Sequence, residues 1–498
     1  MSPSNLKSKT MRSGYIFLLG LLLASCSKQL DQTPVSSTTT TNFYATQNDF
    51  VQAVNGVYSG LKNYPSMALW LGEMRSDNIN AISDGNRDWQ GINDMSPDIT
   101  AVTFITTAWQ NNFNGIFNAN SALDALANKG SIVTDTTLRA RLTAECHYLR
   151  AFYYFELVKL FGKVPLITTP MTSTEAAKVN RTDVAQVYDT IISDLTYAGA
   201  HLPASYSSSD VGRATSYAAK GLLGLVYLTR SGPDYGIDGP GLNSGEYDKA
   251  LALFNEIISS GKYSFLSSYS DIFSYTKENN AEVIFDVQYM SSNNGAGFPS
   301  YLVPVAYWTG LGLSNSYGNG YGASNFAVTS NLKTSYGDTD TRKAFNIATT
   351  YTAGPFIKKY INTAYKGTSG TDWPINFIVL RYTDVLMMKA ECILHGAAGS
   401  QADVDAIVNQ VRERAGLSDI ANVTLEQLME ERRKEFLGEG LRWNDLVREG
   451  LAVTTMNAWI AADAVTNVET VVPAYVIYPV PSAEISASGG LYEQNTGY

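Results

Sequence analysis

The sequence predicts a mainly α fold of paired helices stacked about one long loop-rich insertion. Three observations carry this. From Asn48 onward, apolar residues recur at helical spacing. Two segments after residue 215 place small residues and aromatics at positions where paired helices must approach closely. Residues 284–375 break the pattern, being rich in Gly, Tyr, Asn and Ser without sustained helical periodicity.

Ahead of the helices, Lys7, Lys9 and Arg12 precede the apolar run YIFLLGLLLA, Tyr15 to Ala24. A bilayer-spanning helix needs about 20 apolar residues, so residues 1–25 read as a cleaved secretory signal. Ala24 and Ser25 before Cys26 form LASC, which resembles the bacterial lipobox and would make Cys26 the lipidated first residue of the mature protein. The Ser- and Thr-rich stretch that follows cannot bury apolar surface, and residues 26–41 are expected to act as a tether.

The first helix is expected over NDFVQAVNGVYSGL, with Phe50, Val54, Val57 and Leu61 on one face and Asn48 or Asp49 as N-cap. Trp109, Phe113, Ile116, Phe117 and Leu123 repeat the pattern. LRARLTAECHYLRAFYYFELVKLF runs until Gly162 and Pro165 stop it. Val184, Val187, Ile191, Leu195 and Ala198 mark the next helix, which ends before Pro203. Leu223, Gly224 and Tyr227, then Ala250 and Phe254, match the two halves of the tetratricopeptide pattern, so a right-handed α–α superhelix is expected. YTDVLMMKAECIL and DVDAIVNQVRERAGL resume the helices after the insertion.

Composition excludes several functions. The net charge is −10, and removing Lys7, Lys9 and Arg12 with the signal takes it to −13, which argues against nucleic acid. Cys146 and Cys392 fall inside apolar helices and read as free core thiols rather than a disulfide. His147, His201 and His395 lack metal-ligand spacing, and GDTDTR at 337–342 lacks the rest of a calcium loop, so no metal or cofactor is expected. Nucleophile-elbow and phosphate-loop motifs are missing. ERRKEFLGEGLRWNDLVREG carries Glu431, Glu435, Glu439 and Asp445, residue types suited to glycoside hydrolysis. Interleaved arginines and a Thr424–Gln427 capping box favour a solvated, salt-bridged helix instead.

Landmarks along nearly the whole chain after Cys26 resemble the SusD/RagB outer-membrane lipoproteins of Bacteroidetes: LDQTP with TNFYATQNDFVQAVNGVYSGL, EMRSDN, LRAFYYFELVKLFGKVPL, GRATSYAAKGLLGLVYL, VLRYTDVLMMKAE, ERRKEFLGEGLRWNDLVR and YPVPSAEISASGGLYEQNTGY. One departure is Gly489 and Thr496, where the family often has Asn and Pro. The resemblance implies helical regions over 42–283 and 376–498, with the 284–375 insertion forming a ligand face. It also implies a non-catalytic protein, lipid-anchored in the outer membrane. Such a protein captures oligosaccharides for a SusC-type TonB-dependent transporter. Peptide cargo within the same family is the alternative reading, and glycoside hydrolysis a weaker one.

Sugar rings present apolar faces rimmed by hydroxyls, so a site needs aromatic platforms beside directional polar groups. Trp89, with Arg87, Asp88 and Asn93 around it, and Tyr289 and Trp308 in the insertion are the candidate ligand-binding residues, from loop regions comparable to those the family uses. Trp109 and Trp443, on periodic faces, read as core.

Overall fold

The computed structural model describes residues 43–82, 87–292, 294–313, 317, 325–352 and 354–498. The signal, Cys26 and the tether lie outside them. Helix α1 (Gln47–Ser59) is capped by Thr46 rather than Asn48 or Asp49. The Asp49 carboxylate accepts the Thr46 N–H at 2.7 Å, so the aspartate is the third residue of a capping box and not its start.

The main helices that follow are α2 (Thr103–Lys129), α3 (Thr136–Phe161), α4 (Val184–His201), α5 (Ser216–Ser231) and α6 (Tyr247–Ser259). Beyond the insertion come α7 (Tyr382–Leu394), α8 (Gln401–Arg414), α9 (Leu425–Glu435), α10 (Arg442–Arg448) and α11 (Ala452–Ala462). From α2 onward each helix packs on the next in the chain, including α6 on α7 across the insertion. This is the stacking expected of tetratricopeptide-like pairs.

Packing explains the sequence of α3. Phe152, Tyr153, Tyr154 and Phe155 are all buried, because α1, α2, α4 and α5 cover it on every side. The Tyr153 hydroxyl finds the Val57 carbonyl at 2.6 Å. A Cβ on Gly115 would sit 2.4 Å from its ring. The tetratricopeptide-like pair makes the same use of glycine: a Cβ on Gly224 in α5 would lie 2.4 Å from the Phe254 ring in α6. Gly224→Ala is therefore expected to cost about 1–3 kcal/mol through overpacking. Chemical denaturation measures this, with ligand binding unchanged. Cys146 and Cys392 are buried and unbridged.

Short strands fix the insertion. Antiparallel β4 (Val283–Val287) and β6 (Phe377–Arg381) pair where the chain leaves and re-enters the helical body. Inside the insertion β5 (Asn325–Val328) pairs with β1 (Ile79–Ile82), which precedes the Gly- and Asn-rich stretch of the N-terminal half. A third ladder, β2 (Val164–Pro165) with β3 (Arg181–Thr182), closes the α3–α4 connection. Among the described residues no helix is long and apolar enough to cross a membrane.

Charge is buried at the C-terminal half, contrary to the solvated helix the sequence suggests. Glu431, Arg432, Arg433, Lys434 and Glu435 of α9 are all buried. Glu435 receives Arg381 at 2.9 Å, Arg414 at 2.6 Å and Arg342 at 3.1 Å. Glu439 takes Lys359 at 2.6 Å and Arg381 at 2.9 Å. Asp445 pairs with Arg432, and Asp77 with Arg433 and Arg442. Arg342, Lys359 and Arg381 belong to the insertion and its closing strand, so the ion pairs tie its base to α8 and α9.

Candidate functional site

The loop-rich face stands on this ionic layer and on a sheet of aromatic packing. Trp70, in a π-helical turn (Ala68–Glu73), contacts Tyr301 and Phe326, each at 6.0 Å between ring centres. Phe298 packs edge-on to Tyr360 and Phe377, each at 4.9 Å. Trp373 pairs through its backbone with Ala296, and its indole N–H donates to the Ser300 hydroxyl at 3.2 Å.

The sequence-predicted site residues divide on this frame. Trp89 is 0% exposed, with its ring 5.1 Å from Phe326 of β5. Trp308 is also 0% exposed, enclosed by Tyr317 and Trp373. A ring without a free face cannot stack on a sugar, so both indoles support the face from below rather than forming platforms. Asp88 accepts the Thr103 N–H at 2.9 Å and so caps α2. Asn93 is buried and closes β1, accepting the Ala81 N–H at 2.8 Å and donating to its carbonyl at 3.3 Å. Arg87 is half-buried beside them. The 87–93 stretch is thereby joined to the insertion through β1–β5, with Trp89 and Asn93 buried beneath it and Asp88 exposed at its edge.

Tyr289 is the aromatic candidate that reaches the surface. It is half-buried, its hydroxyl donates to the Lys62 carbonyl at 2.9 Å, and its N–H to the Asn376 side chain at 2.8 Å. Next to it, Met290 is 66% exposed. Sequence reading missed three other tyrosines. Tyr307 is half-buried against Phe356 at 4.8 Å, and it presents outward what its neighbour Trp308 turns inward. Tyr275 and Tyr365 lie nearly parallel at 13° with centres 5.3 Å apart, and Tyr365 is 43% exposed. The composition of the insertion pointed to this face, but adjacent aromatics there carry no periodicity to say which points out.

Two carboxylates lie under the tyrosines. Glu278 accepts the Asn376 N–H at 2.7 Å, and Asp286 accepts its side-chain amide at 3.0 Å. Burial, with the Asp286 charge adding to it, raises Glu278 to about 7. Burial raises Asp286 to about 6 despite the amides of Gln288 and Asn376. Both folded-state values exceed the ordinary carboxylate range, so the stability these groups give is complete at acid pH and is lost as pH rises through about 6 to about 7. Amide exchange at Tyr289 and Asn376, corrected for intrinsic rates, should therefore speed up across that interval. Asp286→Asn should flatten the dependence.

The catalytic-looking carboxylates lie elsewhere. Glu431, Glu435, Glu439 and Asp445 are each within 3.2 Å of a buried cation. Asp340 of the GDTDTR stretch is held by Arg342 at 2.7 Å, and no group of His, Cys, Asp or Glu side chains suited to a metal occurs among the described residues.

Comparison with known proteins follows the same lines. Residues 28–228 match a family described as starch-binding, associating with outer membrane, and residues 317–498 match the SusD family. A SusD-like protein of Bacteroides ovatus is 26% identical over 89% of this chain and 82% of its own length. The structure is similar to surface glycan-binding protein A from Bacteroides thetaiotaomicron in complex with laminarihexaose, with a TM-score of 0.76 and 24% identity over 91% of this chain and 100% of that one. It is also similar to a laminarin-binding SusD-like protein, with a TM-score of 0.72 and 25% identity over 91% and 100%.

Proposed function

We propose a function from one premise: this chain belongs to the SusD/RagB family. It is a glycan-binding protein of the outer-membrane surface, held there through Cys26, that captures oligosaccharides and passes them to a SusC-type TonB-dependent transporter without cleaving them. The observation that carries this reading is the tyrosine-bearing loop face, built on a helical frame that matches glycan-binding relatives over nearly its whole length.

The chemistry follows from the exposed groups. Tyr307 and Tyr365 offer ring faces for the apolar side of a pyranose, and Tyr275 stiffens Tyr365 by stacking behind it. Near Tyr289, Asn294 and Lys62 supply polar groups for sugar hydroxyls. Hydrolysis requires two carboxyl groups flanking the glycosidic bond. Here the α9–α10 carboxylates are locked in buried ion pairs, which supports binding without turnover.

The reading is tested with lipid-free protein beginning at Ser27, run through native gels containing laminarin, starch, xylan or mannan. Retardation by at least one polysaccharide without release of reducing ends is expected. Release of reducing sugar that disappears on a single carboxylate substitution would replace the reading with glycoside hydrolysis.

A further inference from the structure

The pattern Trp109, Phe113, Ile116, Phe117, Leu123 reads as one buried stripe, yet Phe117 is 49% exposed in the middle of α2. It opens onto a cleft of about 900 Å³ between α2, the 165–177 connection and the C-terminal segment around Tyr492. This is the upper part of the size range of ligand sites. Trp109 and Phe113, with ring centres 5.1 Å apart, continue the aromatic floor one and two turns before Phe117.

The rim defines the chemistry. Gln110, Asn114, Thr172 and Ser488 bring amides and hydroxyls to the edge of an apolar floor. Among the described residues no Lys or Arg lines the cleft, while Glu175 and Glu484 do. An anionic lipid headgroup, a phosphate or an acidic polysaccharide would meet like charge there. The acids are also engaged: Glu175 accepts the Thr172 N–H at 2.9 Å and its hydroxyl at 2.8 Å, and Glu484 accepts Gln110 at 3.1 Å. A neutral ligand with apolar faces and many hydroxyls fits both floor and rim.

We infer that this cleft is a second carbohydrate site, taking a neutral oligosaccharide that stacks on Phe117 and hydrogen-bonds to Asn114 and the rim hydroxyls. It lies on α2, on other elements than the loop face, and shares with the reading above only the ligand class.

Hydrogen exchange with laminarihexaose, maltohexaose, cellohexaose and mannohexaose tests it, with Phe117→Ala, Phe117→Trp and Tyr365→Ala alongside. The expected result is protection of 110–117 and 169–176 by at least one sugar. Phe117→Ala should weaken that affinity about tenfold, Phe117→Trp should retain it, and Tyr365→Ala should leave it unchanged. Phe117 is half-exposed, so its replacement does not threaten folding. Protection confined to the loop face would overturn the second site and leave the loop-face reading standing. Protection of the cleft with none at the loop face would do the reverse. Cleft protection by a detergent or an apolar peptide but by no sugar would also overturn the proposal.

Discussion

Glu435→Ala is expected to destabilise the protein by about 3–5 kcal/mol, the range for removing one partner from a buried ion pair. The carboxylate is the meeting point of Arg342, Arg381 and Arg414, which come from a short helix in the insertion, from β6 and from α8. All four side chains are almost wholly buried, so removal of the acid takes one shared carboxylate from three guanidiniums in a low-dielectric space and leaves Arg342 to Asp340 and Glu431, Arg381 to Glu439 and Glu282, and Arg414 to Glu282. Glu435→Gln should be nearly as severe, because its amide would turn a donor toward donors.

Acid should mimic the substitution. Burial alone would raise the pKa of Glu435, but the guanidiniums of Arg414, Arg381 and Arg342 more than offset it and hold the group well below the usual carboxylate range. Asp77 behaves alike: burial opposes ionisation, yet Arg433 and Arg442 hold it at about 2. Their folded-state values are depressed, so the stability they contribute is present above the ordinary carboxylate range, near pH 4, and is lost as pH falls through the folded-state value, about 2 for Asp77. Denaturation midpoints measured from neutral pH downward should drop steeply in the native chain and less steeply in Glu435→Gln.

Gly440→Ala is the second large effect, and it connects the frame to the ligand face. Gly440 has φ of +76°, and a Cβ there would fall 2.5 Å from the Ala68 carbonyl oxygen. In return, a Cβ on Gly72 would fall 2.4 Å from the Gly440 oxygen, so two backbones lie in direct contact. The Glu73 carboxylate seals the contact by accepting the Gly440 N–H at 3.0 Å and the Asn78 amide at 2.7 Å. A left-handed alanine costs about 1–2 kcal/mol, and backbone cannot give way as a side-chain tip would, so overpacking adds about 1–3 kcal/mol more. The turn that must move carries Trp70, which packs against Tyr301 and Phe326 beneath the loops. Gly440→Ala should therefore weaken glycan binding as well as stability, whereas Gly224→Ala, far along the helical stack, should lower stability alone.

Helix content was legible because it is written locally. Leu223, Gly224 and Tyr227 with Ala250 and Phe254 implied a close helix pair, and the Gly224–Phe254 contact is that pair. Charge was misread because its partners are remote. Within ERRKEF the alternation of signs resembles a solvated helix, while the residues that neutralise it, Arg342, Arg381 and Asp77, lie far away in the chain. Aromatic direction in loops was similarly hidden. Tyr307 and Trp308 are neighbours on one short helix (Val305–Gly310), and contacts with Tyr317 and Trp373 make the indole the buried one. Phe117 shows the converse: helical period marks it as core, but it stands 49% exposed in the fold.

Glycan binding at the loop face is tested by affinity electrophoresis of the native chain beside Tyr307→Ala and Tyr365→Ala. One neutral polysaccharide should retard the native protein, and retardation should fall in at least one of the two variants. Equal retardation of all three proteins would contradict the assignment of the loop face, and free migration of the native protein in every polysaccharide would contradict glycan capture itself.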